Sequence, residues 1–414
     1  MKRIIALLTF VPLCLVTFCS SDFSPLDDQT QPNIRPLTKS EQQIVMTTQN
    51  FGLKLFREIV AEGDGDNVFI SPLSVSMALG MTMNGAAGET YDAMRQTLAM
   101  EGMSEQEINE AYKSLIDLLL NLDPKVIFEI ANSIWPQNGF NVLPSFMEVN
   151  QKYFYSEAKP LDFTQPDAAN VINNWISEKT HGKIKNMLDD IPNEAIMYLI
   201  NAIYFKGTWT YQFDEEQTGT EDFYINPQNP VECQMMHISG NWKYYEDDDV
   251  KIIDLPYGDS LFSMTVMLPS VDHTINNFIS QLTISKWENY ISSMDYQSGS
   301  LTLPKLKLGY KLTMNDVLKA LGMGIAFNGS ADFSRINGEK GIYISRVLHQ
   351  TFVQVDEEGT EAAAATIVEF IRSALPAGFF MQVNRPYIFV IRERTNNTIM
   401  FIGKITKPVW NENH

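Results

Sequence analysis

Residues 356–366 read Asp-Glu-Glu-Gly-Thr-Glu-Ala-Ala-Ala-Ala-Thr, and after Gly359 this segment has no large side chain except Glu361. In an extended strand, successive side chains point to opposite faces. One face would carry Thr360, Ala362, Ala364 and Thr366, and the other would carry Glu361, Ala363 and Ala365. Such a strand can enter a covered sheet without burying a charge, provided that Glu361 faces solvent. The composition suits a segment that is exposed in one state and buried in another, and it equally fits the start of an alanine-rich helix.

The sequence around this segment predicts a mixed domain. Apolar residues at helical spacing predict helices over residues 41–61, 104–122 and 166–180. Runs rich in β-branched and aromatic residues predict strands over residues 125–135, 195–205, 231–237, 250–255, 261–268, 346–355, 385–392 and 398–405. Because helices come first and strands follow, we predict an α+β fold with predominantly antiparallel sheets. Residues 197–205 are apolar on both faces and are expected in the middle of a covered sheet.

Charge and composition exclude several classes of function. Fifty acidic residues against 31 basic ones give a net charge of −19, which repels phosphate backbones, so no nucleic-acid partner is expected. The sequence lacks the common nucleophile-elbow, zinc-protease, Walker and dinucleotide-binding motifs, and its five histidines are scattered. We therefore expect no catalytic residues, no metal site and no cofactor. A triad assembled in space is defined by geometry, so the sequence leaves that alternative open.

Residues 1–19 have the pattern of an export signal. Met1-Lys2-Arg3 precedes an apolar run over residues 4–18, which is shorter than the roughly 20 residues of a membrane span. Cys19 and the polar, proline-containing residues 20–37 resemble a bacterial lipoprotein leader, with Cys19 acylated and a flexible tether after it. The alternative is an ordinary cleaved signal peptide. We expect an exported protein that is lipid-anchored at the bacterial cell surface or outer membrane, or otherwise secreted, and that meets the membrane only through that lipid.

Several motifs resemble those of the serpins, across residues 38–408 and in the family's order. They are Asn67-Val-Phe-Ile-Ser-Pro-Leu-Ser-Val75, Asn84-Gly-Ala-Ala-Gly-Glu-Thr90, Asn201-Ala-Ile-Tyr-Phe-Lys-Gly-Thr-Trp209, Val355-Asp-Glu-Glu-Gly-Thr-Glu-Ala-Ala-Ala-Ala365, Asn384-Arg-Pro-Tyr-Ile-Phe-Val390 and Ile399-Met-Phe-Ile-Gly-Lys404. The resemblance implies a single serpin domain over residues 38–414. In that fold, helices pack on three predominantly antiparallel sheets, and a reactive-centre loop at about residues 357–385 is exposed.

The resemblance implies a monomeric protease inhibitor and not an enzyme. A target serine protease cleaves the loop, forms a covalent acyl-enzyme and is trapped when the loop inserts into the main sheet. Papain-like cysteine proteases are a second target class that the resemblance implies. The alternative is a non-inhibitory serpin with a binding or chaperone-like role, in which bulky or charged residues commonly replace the small ones. The small residues after Gly359 favour the inhibitor.

The resemblance also assigns roles to individual residues. The reactive bond is expected at Arg372–Ser373, with Ser373–Ala374 as the alternative, and the arginine favours a trypsin-like target. Trp209 matches the breach, the place near the top of the sheet where insertion begins. The expected hinge of the loop comprises Glu357, Gly359, Thr360, Glu361, Ala362, Ala363, Ala364, Ala365 and Thr366. The expected shutter, a polar cluster beneath the opening sheet, comprises Ser71, Ser74, Asn201 and His349.

Overall fold

The computed structural model describes residues 34–63, 67–360 and 378–410. The α-helices in this part of the chain are α1 (Lys39–Glu62), α2 (Pro72–Met83), α3 (Gly88–Thr97), α4 (Glu105–Leu120), α5 (Pro144–Phe154), α6 (Ala168–Lys179), α7 (Ile275–Ser280), α8 (Ile284–Ser293), α9 (Asn315–Leu318) and α10 (Ser334–Asn337). A π-helical turn (Lys319–Met323) follows α9 directly, and short 3-10 turns occur at Glu215–Gln217 and Gly324–Phe327. No helix among the described residues is long and apolar enough to cross a membrane.

The strands of the described residues form two sheets. They are β1 (Val68–Ile70), β2 (Val126–Pro136), β3 (Glu157–Ala158), β4 (Met197–Thr208), β5 (Gly219–Asn226), β6 (Asn229–Glu246), β7 (Val250–Tyr257), β8 (Phe262–Pro269), β9 (Asp295–Pro304), β10 (Leu306–Thr313), β11 (Leu348–Val355), β12 (Gly359–Thr360), β13 (Phe379–Gln382), β14 (Tyr387–Glu393) and β15 (Ile399–Ile405). The nine-stranded sheet has the order β1-β15-β14-β8-β7-β6-β9-β13, with β5 also paired to β6. The six-stranded sheet has the order β10-β11-β12-β4-β2-β3.

The long strand β6 explains why we find two sheets where the resemblance implied three. Its first part pairs with β5, its middle with β9 and its end with β7, so it connects hydrogen-bonded strands that would otherwise form separate sheets. Every pair in the described sheets is antiparallel except β2 with β3 and β9 with β13. The predicted α+β class with predominantly antiparallel sheets is therefore confirmed.

Local sequence signals explain where the long helices begin. Thr38 caps α1 and Ser104 caps α4, and in both cases a glutamate in the first turn returns the hydrogen bond as a capping box. The predicted helix over residues 166–180 is found as the shorter α6, which begins only at Ala168. The strand predicted to be apolar on both faces is β4, which lies between β12 and β2 and is buried over residues 200–205. β5 and β9 escaped prediction because polar residues interrupt their apolar pattern.

Candidate functional site

β12 lies between β4 and β11 at one end of the six-stranded sheet. Gly359 pairs with Thr208 and Thr360 with Gly207 of β4, and Thr360 also pairs with Val355 of β11, all antiparallel. Within the described strands, β4 and β11 form no ladder with each other. Most of their facing edges therefore have no strand partner among the described residues, although buried backbone N–H and C=O groups require a hydrogen-bond partner of some kind.

A tight turn connects β11 to β12, and Trp209 packs directly on it. The backbone N–H of Asp356 donates to the Gly359 carbonyl (3.0 Å), and the Asp356 carboxylate accepts from the backbone N–H groups of Glu358 and Gly359 (both 3.2 Å). The backbone N–H of Trp209 donates to the Glu358 carbonyl (2.9 Å), and its indole Nε1 donates to the Asp356 carbonyl (2.9 Å). Trp209 therefore holds the turn by donating hydrogen bonds to the carbonyl groups of Asp356 and Glu358.

Thr360 is buried, and its hydroxyl is hydrogen-bonded to the Tyr257 hydroxyl. The Tyr257 ring stacks on Trp209 with centroids 4.3 Å apart and an interplanar angle of 10°. Burial raises the pKa of Tyr257 well above its usual value, so its hydroxyl stays neutral. This arrangement places the Thr360 side chain on the inner face of the sheet.

Two glycines allow β12 to approach β4 closely. A Cβ atom at Gly359 would lie 2.2 Å from the Gly207 carbonyl oxygen, and one at Gly207 would lie 2.9 Å from the Tyr257 ring. Any larger residue at position 359 would require β12 to move away from β4. The glycine is thus explained by close backbone packing.

Glu357 is buried in the same turn and is paired. Lys305 Nζ lies 2.6 Å from Glu357 Oε2, and the Thr218 hydroxyl donates to Oε1 at 2.7 Å. Burial alone would raise the pKa of Glu357, but the hydrogen bonds from Lys305 and Thr218 outweigh burial and lower it. Glu357 is therefore ionised at neutral pH. Its ion pair links the turn to the residue between β9 and β10.

The four predicted shutter residues meet at the N-terminus of α2. The Ser71 hydroxyl accepts from the Ser74 N–H (3.2 Å) and donates to the Met400 carbonyl of β15 (2.7 Å). The Ser71 backbone N–H donates to His349 Nε2 on β11 (3.0 Å), and the Ser74 hydroxyl donates to Asn201 Oδ1 on β4. One helix terminus therefore connects the two strands that flank β12.

The sequence did not identify Asn132, which extends this cluster. Asn201 Nδ2 donates to Asn132 Oδ1 (2.7 Å), and Asn132 Nδ2 donates to the Phe154 carbonyl (2.7 Å). Asn132 and Asn201 are directly opposite each other in the β2–β4 ladder. An asparagine inside an apolar strand is a signal for a buried hydrogen bond, but only the strand register reveals its partner. No comparable signal in the sequence indicated Tyr257 or Lys305.

The C-terminal end of the loop region is fixed in the other sheet. β13 runs parallel to β9, from the pair Phe379–Gly299 to the pair Gln382–Thr302. The Phe379 ring stacks on Tyr244 with centroids 3.7 Å apart, and a Cβ atom at Gly299 would lie 2.4 Å from the Phe379 ring. The last described residue before the loop and the first strand after it therefore belong to different sheets.

Several predicted site residues lie outside the described part of the chain. They are Cys19, the hinge residues Glu361, Ala362, Ala363, Ala364, Ala365 and Thr366, and the candidate reactive-bond residues Arg372, Ser373 and Ala374. The structure brings together Glu357, Gly359, Thr360 and Trp209 at one end of the sheet and the four shutter residues further along it. Among the described residues, no group of three or more His, Cys, Asp or Glu side chains is placed to hold a metal ion.

Comparisons with known proteins agree on one family. The model of the family described as "Serpin (serine protease inhibitor)" matches residues 46–408. Iripin-8 from Ixodes ricinus is 33% identical over 383 residues, which cover 89% of this chain and 94% of that protein. Intracellular coagulation inhibitor 2 from Tachypleus tridentatus is 31% identical over 375 residues, covering 89% and 91%. The crystal structure of tengpin, a thermophilic serpin in the native state, is 31% identical with a TM-score of 0.81, covering 90% and 95%.

This chain therefore belongs to the serpin family, and the predicted serpin fold is confirmed. Serpins are in general protease inhibitors and not enzymes, and their usual partners are serine proteases.

The shutter should make this protein sensitive to acid through His349. Burial lowers the pKa of His349 to about 4, so the unfolded chain takes up the proton first as the pH falls below about 6.5. The stabilisation from the neutral imidazole is complete above that pH and is lost as the pH falls from 6.5 to 4. At pH 5, the free energy of unfolding should already be lower by about 2 kcal/mol. Thermal midpoints should thus fall more between pH 7 and 5 for the native sequence than for His349→Gln, which can accept the same hydrogen bond without titrating. Equal pH dependence in both proteins would contradict this account.

Proposed function

We propose that this serpin inhibits serine proteases as a suicide substrate, with the cleaved loop inserting into the six-stranded sheet between β4 and β11. The observation that carries the proposal is the position of β12. Gly359 and Thr360 already pair with β4, and Thr360 also pairs with β11, while β4 and β11 are not joined to each other in the described structure. The backbone pairing that a longer inserted strand would need therefore already begins at β12, where the loop follows.

The register of β12 predicts what an inserting strand would meet. Each further loop residue pairs one residue back along β4 and β11, so Glu361 would lie opposite Lys206 on the outer face. Thr366 would arrive opposite Asn201 on one side and His349 on the other. As far as Thr366, the residues that share the inner face with Thr360 are small, which allows this part of the loop to insert over the packed core without burying a charge.

The chemical step would use the nucleophile of the protease. Its serine Oγ attacks the carbonyl carbon of Arg372, the amide bond to Ser373 breaks, and Ser373 leaves with a new amino group. The acyl ester between Arg372 and the protease persists because insertion displaces the protease before water can attack. A papain-like cysteine protease would form the corresponding thioester. Cleavage at Ser373–Ala374 is the alternative within the same mechanism.

The turn before Gly359 and the predicted shutter would control when insertion begins and ends. The turn held by Trp209 and Glu357 is the starting point, since the loop continues directly from β12. The hydrogen bonds of Asn201 and His349 with the α2 terminus must rearrange when Thr366 arrives between them. The uncleaved protein would therefore persist because of a kinetic barrier to this rearrangement.

We also propose that the protein acts outside the cytoplasm as a monomer. The signal-like residues 1–19 support export, and Cys19 at their end supports a lipid anchor at the cell surface. The protease would then be met in the extracellular medium or at the outer membrane.

Incubation with trypsin should produce a covalent complex that survives a denaturing gel at the summed mass. Protein cleaved in the loop should also show a higher thermal midpoint than intact protein, since the inserted strand completes the pairing of β4 and β11. Cleavage without a complex and without any thermal gain would favour the non-inhibitory role instead. Proteolysis by the purified chain alone would contradict its assignment as an inhibitor.

Thr360→Arg should convert the inhibitor into a substrate. An arginine at this buried position cannot pair with Tyr257 without burying its charge, so insertion should slow and the yield of covalent complex should fall at least about tenfold. The rate of loop cleavage should change little. Thr360→Ser, which keeps the hydroxyl, is the matched control and should retain complex formation. An unchanged complex yield in Thr360→Arg would argue against insertion at β12.

Arg372→Ala should reduce the rate of trypsin inhibition by about 100-fold or more, because trypsin recognises a basic residue before the cleaved bond. Arg335→Ala, which removes an exposed arginine paired with Glu105, is the control and should inhibit normally. The N-terminal residue of the released fragment should be Ser373. A fragment that begins at Ala374, together with retained inhibition by Arg372→Ala, would move the reactive bond by one residue.

A further inference from the structure

We propose that a cavity, separate from the contacts of β12, binds a small organic anion that carries a planar ring. The cavity lies between β10, β11 and residues 183–186, which follow α6, and its volume is about 360 Å³. Small-molecule sites typically occupy about 300–1,000 Å³. No shutter residue, and none of Trp209, Glu357, Gly359 and Thr360, lines it, so the proposal does not rest on the inhibitory function.

The floor of the cavity is the outer face of β10 and β11. The Thr351 hydroxyl donates to the Phe69 carbonyl on the inner side, so the flanking Gln350 and Phe352 point to the opposite face. Gly309 is directly opposite Phe352 in the ladder and contributes no side chain. The flat side of an aromatic ring therefore has room beside Phe352.

Residues 183–186 cover the cavity on the side opposite β10 and β11, and two contacts connect them and the following residues to these strands. The Lys183 ammonium lies 5.2 Å from the centroid of the Phe352 ring. Lys311 donates to the Asn186 carbonyl (3.1 Å) and to both carboxylate oxygens of Asp189 (2.9 and 2.7 Å). The cavity lies between these two contacts, and Lys185 is exposed at its mouth.

The chemistry of the lining selects an anion. Three lysines, Lys183, Lys185 and Lys311, line the cavity, and none of the lining residues is a carboxylate. Lys311 is already paired with Asp189, so the exposed Lys185 supplies the charge that would attract an anion. The side-chain oxygen of Gln350 is buried without a hydrogen-bond partner, so a ligand with its own N–H or O–H group would satisfy it. An aromatic carboxylate or sulfonate with such a donor meets all three requirements.

A fluorescence titration with 8-anilinonaphthalene-1-sulfonate tests the site, because this probe combines a sulfonate, aromatic rings and an N–H group. We expect saturable binding with one site per chain, weakened at high salt. Lys185→Gln removes one charge, and Gly309→Leu fills the space beside Phe352, so each should weaken binding about tenfold. Lys307→Gln, on the same strand but outside the cavity lining, should bind the probe normally.

Two outcomes would overturn the proposal. One is the absence of saturable binding, and the other is equal affinity in all the variants, which would place the probe elsewhere on the surface. Thermal midpoints measured in parallel show whether each variant is folded. Should Gly309→Leu fail to fold, the exposed Lys185→Gln still decides the outcome against Lys307→Gln.

Discussion

The separation of β4 from β11 is the constraint on which the rest of this structure depends. Neighbouring strands lie about 4.8 Å apart, so the presence of β12 sets β4 and β11 at roughly twice that distance at one end. Strand edges carry donors and acceptors that need partners. The molecule therefore contains a sheet whose pairing is incomplete within its described strands. The turn before Gly359 and the predicted shutter both lie along this interruption between β4 and β11.

The two ends of the interruption are stabilised differently. At the β12 end, aromatic stacking of Trp209 on Tyr257 combines with the ion pair between buried Glu357 and half-buried Lys305, and both act on the turn before Gly359. Further along, hydroxyl, amide and imidazole groups connect β4 and β11 through the N-terminus of α2. Side-chain hydrogen bonds can be exchanged for others of similar strength, whereas interlocked apolar packing would leave a void when the strands move apart. A polar cluster therefore suits the place where the sheet opens in the proposed mechanism.

Prediction from the sequence succeeded where a local pattern carries the information. Apolar residues at helical spacing predicted α1 and α4 to within two residues at each end, and the doubly apolar pattern of β4 predicted its central position. Prediction failed where the arrangement of the sheets depends on pairing between segments that are distant in the sequence. The continuous hydrogen bonding of β6 with β5, β9 and β7, which merges strands into one sheet, has no local signature.

The small size of the residues after Gly359 was determined by the sequence itself, because composition is a local property. Tertiary structure alone decided that Gly359 abuts the Gly207 carbonyl, that Thr360 meets Tyr257, and that Asn132 faces Asn201. These contacts join residues far apart in the chain. Their geometry follows from strand register and helix packing, which depend on the whole core and not on any single segment.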